Sequence, residues 1–241
     1  MRLFLLTTLV LLVFLATFAM AADKIVLIGS TVPLGASDEL IKTHLTTLGF
    51  TVEAHSQDEA QPVALTGAAG VFISESVGSA LITSLYNKVA IPIINTEAYI
   101  LDDWKVTPDT AFDVTAGTLV TILDPTNPIA GGLKGDVKIS SADAAIGSCQ
   151  NFKVDFKAVA KATASGFPCL ATFEKGIKDM DGNPTPARRV FSFGQAVLIP
   201  TLTKEGWTLI ENTVLWALGR LGTTAVEPTK KLSLTWGSIK N

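Results

Sequence analysis

Short polar clusters follow three apolar stretches of the sequence, and their side chains are of types that bind ligands or move protons. They carry hydroxyl, carboxylate and amide groups: Ser30, Thr31, Ser74, Glu75, Ser76, Asn95 and Glu97. If the apolar stretches are parallel strands, the clusters meet at the carboxyl edge of one sheet, where α/β proteins bind ligands. We therefore predict a ligand-binding site from these seven residues. Ordinary polar loop caps are the alternative interpretation.

Glu97 and the neighbouring pair Asp102 and Asp103 form the most distinct cluster of acidic residues in the sequence. Two carboxyl groups at a suitable separation serve as acid and base in glycoside hydrolysis. An exported hydrolase or carbohydrate-processing enzyme using Glu97 with Asp102 or Asp103 is therefore the alternative function. The same oxygens would suit calcium better than zinc, but no D-x-D-x-D loop accompanies them, and we predict no metal site.

Two further motifs are incomplete. The loop at residues 29–39 leads from a predicted strand to a predicted helix, where backbone N–H groups can hold an anion. It contains neither G-x-G-x-x-G nor the Walker lysine, so we predict a capped turn and no cofactor. No G-x-S-x-G surrounds Ser74 or Ser76, as a serine hydrolase would require.

The elements that must position these residues alternate in the first half of the chain. Apolar runs at 24–30, 50–56, 70–76 and 90–97 predict buried strands. Helical patterns lie at 37–48, where Ser37 is the expected N-cap, and at 79–89. This alternation predicts an α/β fold with a flavodoxin-like, doubly wound, mainly parallel sheet.

In the second half, strand candidates follow one another with little room for helices. They occupy 117–124, 136–140, 156–162, 169–175 and 187–194. We predict that they add strands, some antiparallel, to the edge of the sheet, with the Asp-Gly-Asn of the turn at 178–186 as a hairpin tip. An amphipathic helix is predicted at about 203–218.

Residues 1–22 contain a long apolar run followed by small residues suited to a signal peptidase, the pattern of a secretory signal peptide. An uncleaved membrane anchor is the alternative. Residues 23–220 are predicted to form one domain and 221–241 a tail. The tail's apolar residues either fold back on the domain or meet a partner: Leu232, Leu234, Trp236 and Ile239. We expect a protein that is secreted, periplasmic or on the cell surface, and free of the membrane after signal cleavage.

The net charge bears on nucleic-acid binding, and the cysteine and histidine content bears on a disulfide and on a zinc site. A formal net charge of −3 and a pI near 5.4 disfavour a nucleic-acid surface, which needs clustered Lys and Arg. Cys149 and Cys169 are the two cysteines, and in an oxidising compartment we expect them to form a disulfide. A zinc site is disfavoured because His44 and His55 are the sole histidines.

Several segments in order carry a resemblance to a known superfamily. They are KIVLIGS (24–30), AAGVFISESVGS (68–79), VAIPIINTEAYILDDW (89–104), VTILDPTNPIAGGLKGDVKI (120–139), ARRVFSFG (187–194) and TKEGWTLIENTVLWALG (203–219). With these segments the sequence resembles the trehalose-utilisation-protein-like branch of the class I glutamine amidotransferase-like superfamily, and most closely a domain found in exported bacterial proteins.

The resemblance implies a flavodoxin-like core and a reactive elbow after a strand. Amidotransferases of this superfamily carry a cysteine there, followed later by His and Glu. In this sequence the candidate elbows hold 74–76 and 95–97, without cysteine, and no histidine follows residue 55. The function expected is therefore a non-catalytic module that binds a small molecule or an extracellular protein partner.

Overall fold

The computed structural model describes residues 23–58, 65–108 and 111–221. The predicted signal peptide at 1–22 and the predicted tail beyond residue 221 lie outside these ranges. Within them, no helix is both long and apolar enough to cross a membrane.

The chain forms an α/β structure built on a nine-stranded sheet and a separate two-stranded sheet, counting the described residues. In chain order the strands are β1 (Lys24–Gly29), β2 (Thr51–Ser56), β3 (Ala68–Ile73), β4 (Ile93–Asn95), β5 (Phe112–Gly117), β6 (Leu119–Ile122), β7 (Gly135–Lys138), β8 (Ala144–Cys149), β9 (Lys157–Ala162), β10 (Pro168–Phe173) and β11 (Arg189–Ser192). The large sheet has the order β2-β1-β3-β4-β11-β10-β9-β6-β7, and β5 pairs with β8.

The large sheet has a parallel half and an antiparallel half. Strands β2, β1, β3, β4 and β11 are parallel neighbours, whereas β10, β9, β6 and β7 continue the sheet with antiparallel pairs. The predicted mainly parallel core with added antiparallel strands is confirmed. The hairpin between β10 and β11 ends in the predicted turn, where Gly182 has a φ of +85°.

Helices cover the sheet because its strands are apolar on both faces. In β1, Ile25 and Leu27 face one core cluster, and Val26 and Ile28 face the other. The first face packs against helices α1 (Ala36–Thr47) and α3 (Lys204–Ala217). The second packs against residues of the segment 77–106, which contains the short helix α2 (Ser79–Ile82) and a 3-10 helix (Ala98–Ile100).

The predicted helix at 79–89 is wrong after its first turn. Helix α2 stops at Ile82 because Thr83 has a φ of +40°, a left-handed conformation that interrupts helical hydrogen bonding. The carbonyl groups of Asn87 and Val89 bond the guanidinium group of Arg189 instead. Strands β5 and β8 were not among the predicted strands, although residue 117 fell within one.

The predicted N-cap of the first helix is also wrong. Gly35 is the N-cap residue of α1, without a side-chain cap. The Ser37 hydroxyl donates instead to the carbonyl of Ala196, at 2.7 Å. A contact with a distant loop has therefore replaced the local cap.

Cys149 and Cys169 are free, buried thiols in the structure, where the sequence predicted a disulfide. The physical reason is that they belong to the two different core clusters, Cys169 with α1 and α3 and Cys149 with the segment 77–106. Burial raises the pKa of Cys149 to about 12 and that of Cys169 still further. Thiolate chemistry at neutral pH is therefore disfavoured at both positions.

Candidate functional site

The carboxyl ends of β1, β3 and β4 lie side by side, which brings most of the predicted site residues to one edge of the sheet. Ile28 pairs with Ile73, and Ile73 pairs with Asn95. We call this edge the rim and define it by seven residues: Ser30, Ser74, Glu75, Ser76, Asn95, Thr96 and Glu97. The predicted residue Thr31 is exposed, and its hydroxyl donates to the carbonyl of Pro33 within its own loop.

A buried carboxylate from α1 organises one side of the rim. Asp38 is 1% exposed and accepts hydrogen bonds from the hydroxyls of Ser74 at 2.5 Å and Ser76 at 2.7 Å. The Ser76 hydroxyl also accepts the backbone N–H of Ser30 at 3.1 Å. The carboxylate has room because Gly29 has no side chain, and a Cβ there would lie 2.6 Å from Asp38 Oδ2.

Removing the Asp38 carboxylate should destabilise the fold by about 3 kcal/mol, because two inward-facing hydroxyls lose their acceptor. Asp38→Ala tests this prediction, with Glu39→Ala as the matched control. Both residues lie in the first turn of α1, so both variants lose the same favourable interaction with the helix dipole, worth up to about 1 kcal/mol. Urea denaturation followed by circular dichroism measures the difference. Equal losses in the two variants would show that the hydroxyl contacts contribute nothing.

A loop following β11 closes over the rim through Glu75. The Glu75 carboxylate accepts the backbone N–H of Ala196 at 2.7 Å, and the backbone N–H of Glu75 donates to the hydroxyl of Thr96 at 2.8 Å. Gly194 lies against the Thr96 side chain, since a Cβ at this glycine would be 2.9 Å from Thr96 Cγ2. The ends of β3, β4 and β11 are thereby fixed relative to one another.

Glu97 stands at the turn where β4 passes into the 3-10 helix. Asn95 holds the backbone of Glu97 on both sides, donating to its carbonyl at 2.8 Å and accepting its N–H at 2.9 Å. The Glu97 carboxylate accepts the N–H of Tyr99 at 2.8 Å and so caps the 3-10 helix. The position of this side chain is therefore set by its own turn.

Burial changes the charge of Glu97. Glu97 is 3% exposed. Desolvation, followed by the charge of nearby Glu75, raises its pKa to about 8 against the hydrogen bond from Tyr99. Burial also raises the pKa of Glu75, against the hydrogen bond from Ala196. At neutral pH Glu97 is thus mainly a neutral carboxylic acid, which can donate one hydrogen bond and accept others.

The acidic pair predicted to join Glu97 lies elsewhere. Asp103 lines a cavity with Lys88 and Lys105, and Asp102 is close enough to Cys149 to raise the pKa of that thiol. The acidic neighbour that acts on Glu97 is Glu75. The arrangement required by the hydrolytic alternative, Glu97 beside Asp102 or Asp103, is therefore not among the described contacts.

Both histidines take part in contacts outside the rim. His44 stacks on Trp207 with 3.5 Å between ring centroids, and its Nδ1 lies 2.8 Å from Glu211 Oε1. His55 Nε2 lies 2.8 Å from Glu53 Oε1 on β2. The described residues also contain no group of three or more His, Cys, Asp or Glu side chains placed to hold a metal ion.

Sequence reasoning missed Asp38 and Gln195 as residues of this region. Asp38 lies at the start of the helix predicted at 37–48, and nothing in its spacing indicated the two serines beyond β3. Gln195 is 4% exposed, and its Nε2 has no hydrogen-bond partner among the described residues. It lies in the loop that closes the rim, next to Ala196. The rule used for the other strands, a polar residue after an apolar run, could have found it.

Comparison with solved structures identifies the architecture. A component of a GMP synthase from Thermoplasma acidophilum aligns over 84% of this chain and 95% of its own, with a TM-score of 0.52 and 15% identity. This chain therefore shares its fold with that protein. A glutamine amidotransferase from Thermotoga maritima aligns over 81% of this chain and 98% of its own, with 9% identity and a TM-score of 0.47.

The remaining comparisons returned nothing: no family model matches the sequence, and no curated protein does. At 15% identity the structural likeness extends to the fold alone. In this fold, Glu97 occupies the turn after β4, which lies between β3 and β11 in the large sheet. One fold serves many functions, so the function depends on the side chains and geometry of the rim.

Proposed function

We propose that this protein is a non-catalytic binding module of the cell exterior, which holds a small molecule or a protein partner at the rim. One observation carries the proposal: Glu97, a nearly buried carboxyl group with a raised pKa, sits at the strand-end edge beside Glu75. A buried acid without a cationic partner is costly and is a common feature of functional sites.

Three further points support binding over catalysis. The hydroxyls of Ser74 and Ser76 donate to Asp38, so they have a carboxylate partner but no imidazole to take a proton. His44 and His55 bond glutamates elsewhere. The two thiols are buried with raised pKa values. A binding function needs none of these groups.

Two parts of the proposal, export from the cell and the branch of the superfamily, are supported by the sequence alone. The signal-like residues 1–22 favour export, and the ordered segments favour the trehalose-utilisation-protein-like branch of the superfamily. The apolar residues of the predicted tail provide a second candidate contact with an extracellular protein.

A thermal-shift screen of neutral sugars, nucleosides and divalent cations tests the proposal, with Glu97→Gln beside the wild-type protein. Glutamine keeps the shape of the side chain but cannot ionise. We expect a ligand that raises the Tm of the wild type and raises that of Glu97→Gln by much less. Glu205→Gln, on the exposed start of α3, should respond like the wild type. Shifts that are identical in all three proteins would place the ligand away from the rim.

A further inference from the structure

The rim region carries acidic groups that have no basic partner. Burial is the larger cause of the raised pKa at Glu75 and at Glu97, but each also feels an acidic neighbour: Asp38 acts on Glu75, and Glu75 acts on Glu97. Within the described ranges no Lys, Arg or His forms an ion pair with any of the three. The potential at this edge of the sheet is therefore negative and attracts a cation.

Glu75 and Glu97 each keep one carboxyl oxygen for a ligand. One oxygen of Glu97 accepts the N–H of Tyr99, and one oxygen of Glu75 accepts the N–H of Ala196. No other hydrogen bond from the described residues acts on either carboxyl group. The unpaired oxygens remain within reach of solvent, since neither is among the fully buried polar atoms that lack a partner. A ligand that donates hydrogen bonds to them is therefore favoured.

Exposed apolar side chains surround these two acids. They lie in the segments that follow β1, β4 and β11, whose carboxyl ends share this edge of the sheet. We call them the collar: Val32, 55% exposed, Tyr99, 42% exposed, and Val197, 64% exposed. Exposed apolar side chains that are grouped at one place mark interaction sites. The collar therefore favours a ligand with an apolar body.

Tyr99 adds a feature that suits a positive charge. Its backbone N–H holds the carboxyl group of Glu97, and its partly exposed ring packs on Phe112 with 3.7 Å between the ring centroids. Aromatic rings attract ammonium groups through their negative faces. An aromatic ring beside an acid is thus suited to an organic cation.

We propose that the rim binds an organic ammonium ion, a small molecule that carries one positively charged amine on an apolar body. The amine donates to the unpaired oxygens of Glu75 and Glu97, and the apolar body packs against the collar. A metal ion lacks a body that would cover the collar, and no group of three His, Cys, Asp or Glu side chains in the described part of the chain is placed to hold one. The proposal rests on the proposed function, because the rim is the same site.

Isothermal titration calorimetry on the full-length protein tests the proposal with three probes of similar shape: phenethylamine, phenethyl alcohol and phenylacetate. The pKa of Glu97 is about 8, so titrations at about pH 8.5 find this group mainly ionised. We expect the amine to bind, the alcohol to bind about tenfold more weakly or not at all, and phenylacetate not to bind. Failure of the amine to bind at millimolar concentration would overturn the proposal.

The variants Glu75→Gln and Glu97→Gln locate the binding site. Glutamine keeps an oxygen that can accept the same backbone N–H, so the fold is retained while the charge is lost. Each variant should weaken amine binding about tenfold, because a charge-assisted hydrogen bond is replaced by a neutral one. Glu205→Gln, the same change on the exposed start of α3, should bind like the wild type.

The results distinguish the ligand class from the site. If the alcohol binds as tightly as the amine and Glu97→Gln weakens both, the ammonium ion is overturned while the proposed function stands. If both rim variants bind the amine like the wild type, the rim is not the site and both proposals lose their support.

The pH dependence of wild-type binding decides the matter if a variant does not fold. Amine binding should weaken as the pH is lowered from about 8.5 to about 6, because Glu97 takes up a proton and loses its charge. Glu75 and Asp38 are the acidic groups beside it. An affinity that stays constant over this range would contradict the role of Glu97 in holding the amine.

Discussion

Arg189→Met should lower the free energy of unfolding by about 4 kcal/mol. Arg189 is 2% exposed, and its guanidinium group donates to four backbone carbonyls: Ile91 at 2.9 Å, Arg188 at 3.1 Å, Asn87 at 3.2 Å and Val89 at 2.5 Å. Methionine fills similar space but takes this donor away from the carbonyls of Asn87, Val89 and Ile91, whereas the carbonyl of Arg188 keeps the N–H of Ile93. Burial lowers the pKa of Arg189 to about 10, so the group remains charged at neutral pH.

The adjacent residue provides the matched control. Arg188 is partly exposed and contacts Glu174 and Trp216 at the surface, so Arg188→Met should cost only about 1 kcal/mol. Urea denaturation of the two variants, followed by tryptophan fluorescence, measures both values. An Arg189→Met variant as stable as Arg188→Met would mean that the segment 87–91 holds its conformation without the guanidinium group.

Glu97→Gln should remove a pH-dependent loss of stability on the order of 4 kcal/mol. Folding raises the pKa of Glu97 from 4.5 to about 8, so the folded protein binds this proton more tightly than the unfolded chain does. The resulting stabilisation is fully present below pH 4.5 and is lost as the pH rises to about 8. Unfolding free energies measured between about pH 4.5 and pH 8.5 should therefore fall more steeply for the wild type than for the variant.

Glu75→Gln provides a second test of the same carboxyl group. The charge of Glu75 contributes to the raised pKa of Glu97, so its removal should shift the end of the stability loss to lower pH. Parallel profiles for the wild type and Glu97→Gln would contradict the assignment, because they would show that Glu97 titrates alike in the folded and unfolded states.

The parallel half of the sheet was predictable because its strands are apolar on both faces and end in small or polar residues. The same alternation placed Ser74 and Asn95 at neighbouring strand ends. The helix at 79–89 was mispredicted because its fate depends on Arg189, about a hundred residues away in the chain, which takes up its last carbonyl groups. A local sequence pattern carries no information about a hydrogen-bond donor that lies so far away in the chain.

The candidate site was predictable in its location but not in its internal contacts. The rule that polar residues follow buried strands found Glu97, whereas the raised pKa of its carboxyl group depends on tertiary burial. Asp38 carried the pattern of a helix first turn, and its role as an acceptor for two serines depends on how α1 packs beside β3. Asp103 was grouped with Glu97 by sequence proximity, yet it lines the cavity that contains Lys88 and Lys105.

The absence of a side chain at Gly29 restricts the order in which this region can evolve. An alanine at position 29 would press on a carboxylate that already holds two hydroxyls, so it becomes tolerable only after position 38 has lost its acid. A lineage that has lost the acid and gained the methyl group could not regain the acid in one step. The glycine thus preserves the arrangement of Asp38 with Ser74 and Ser76 in descendants.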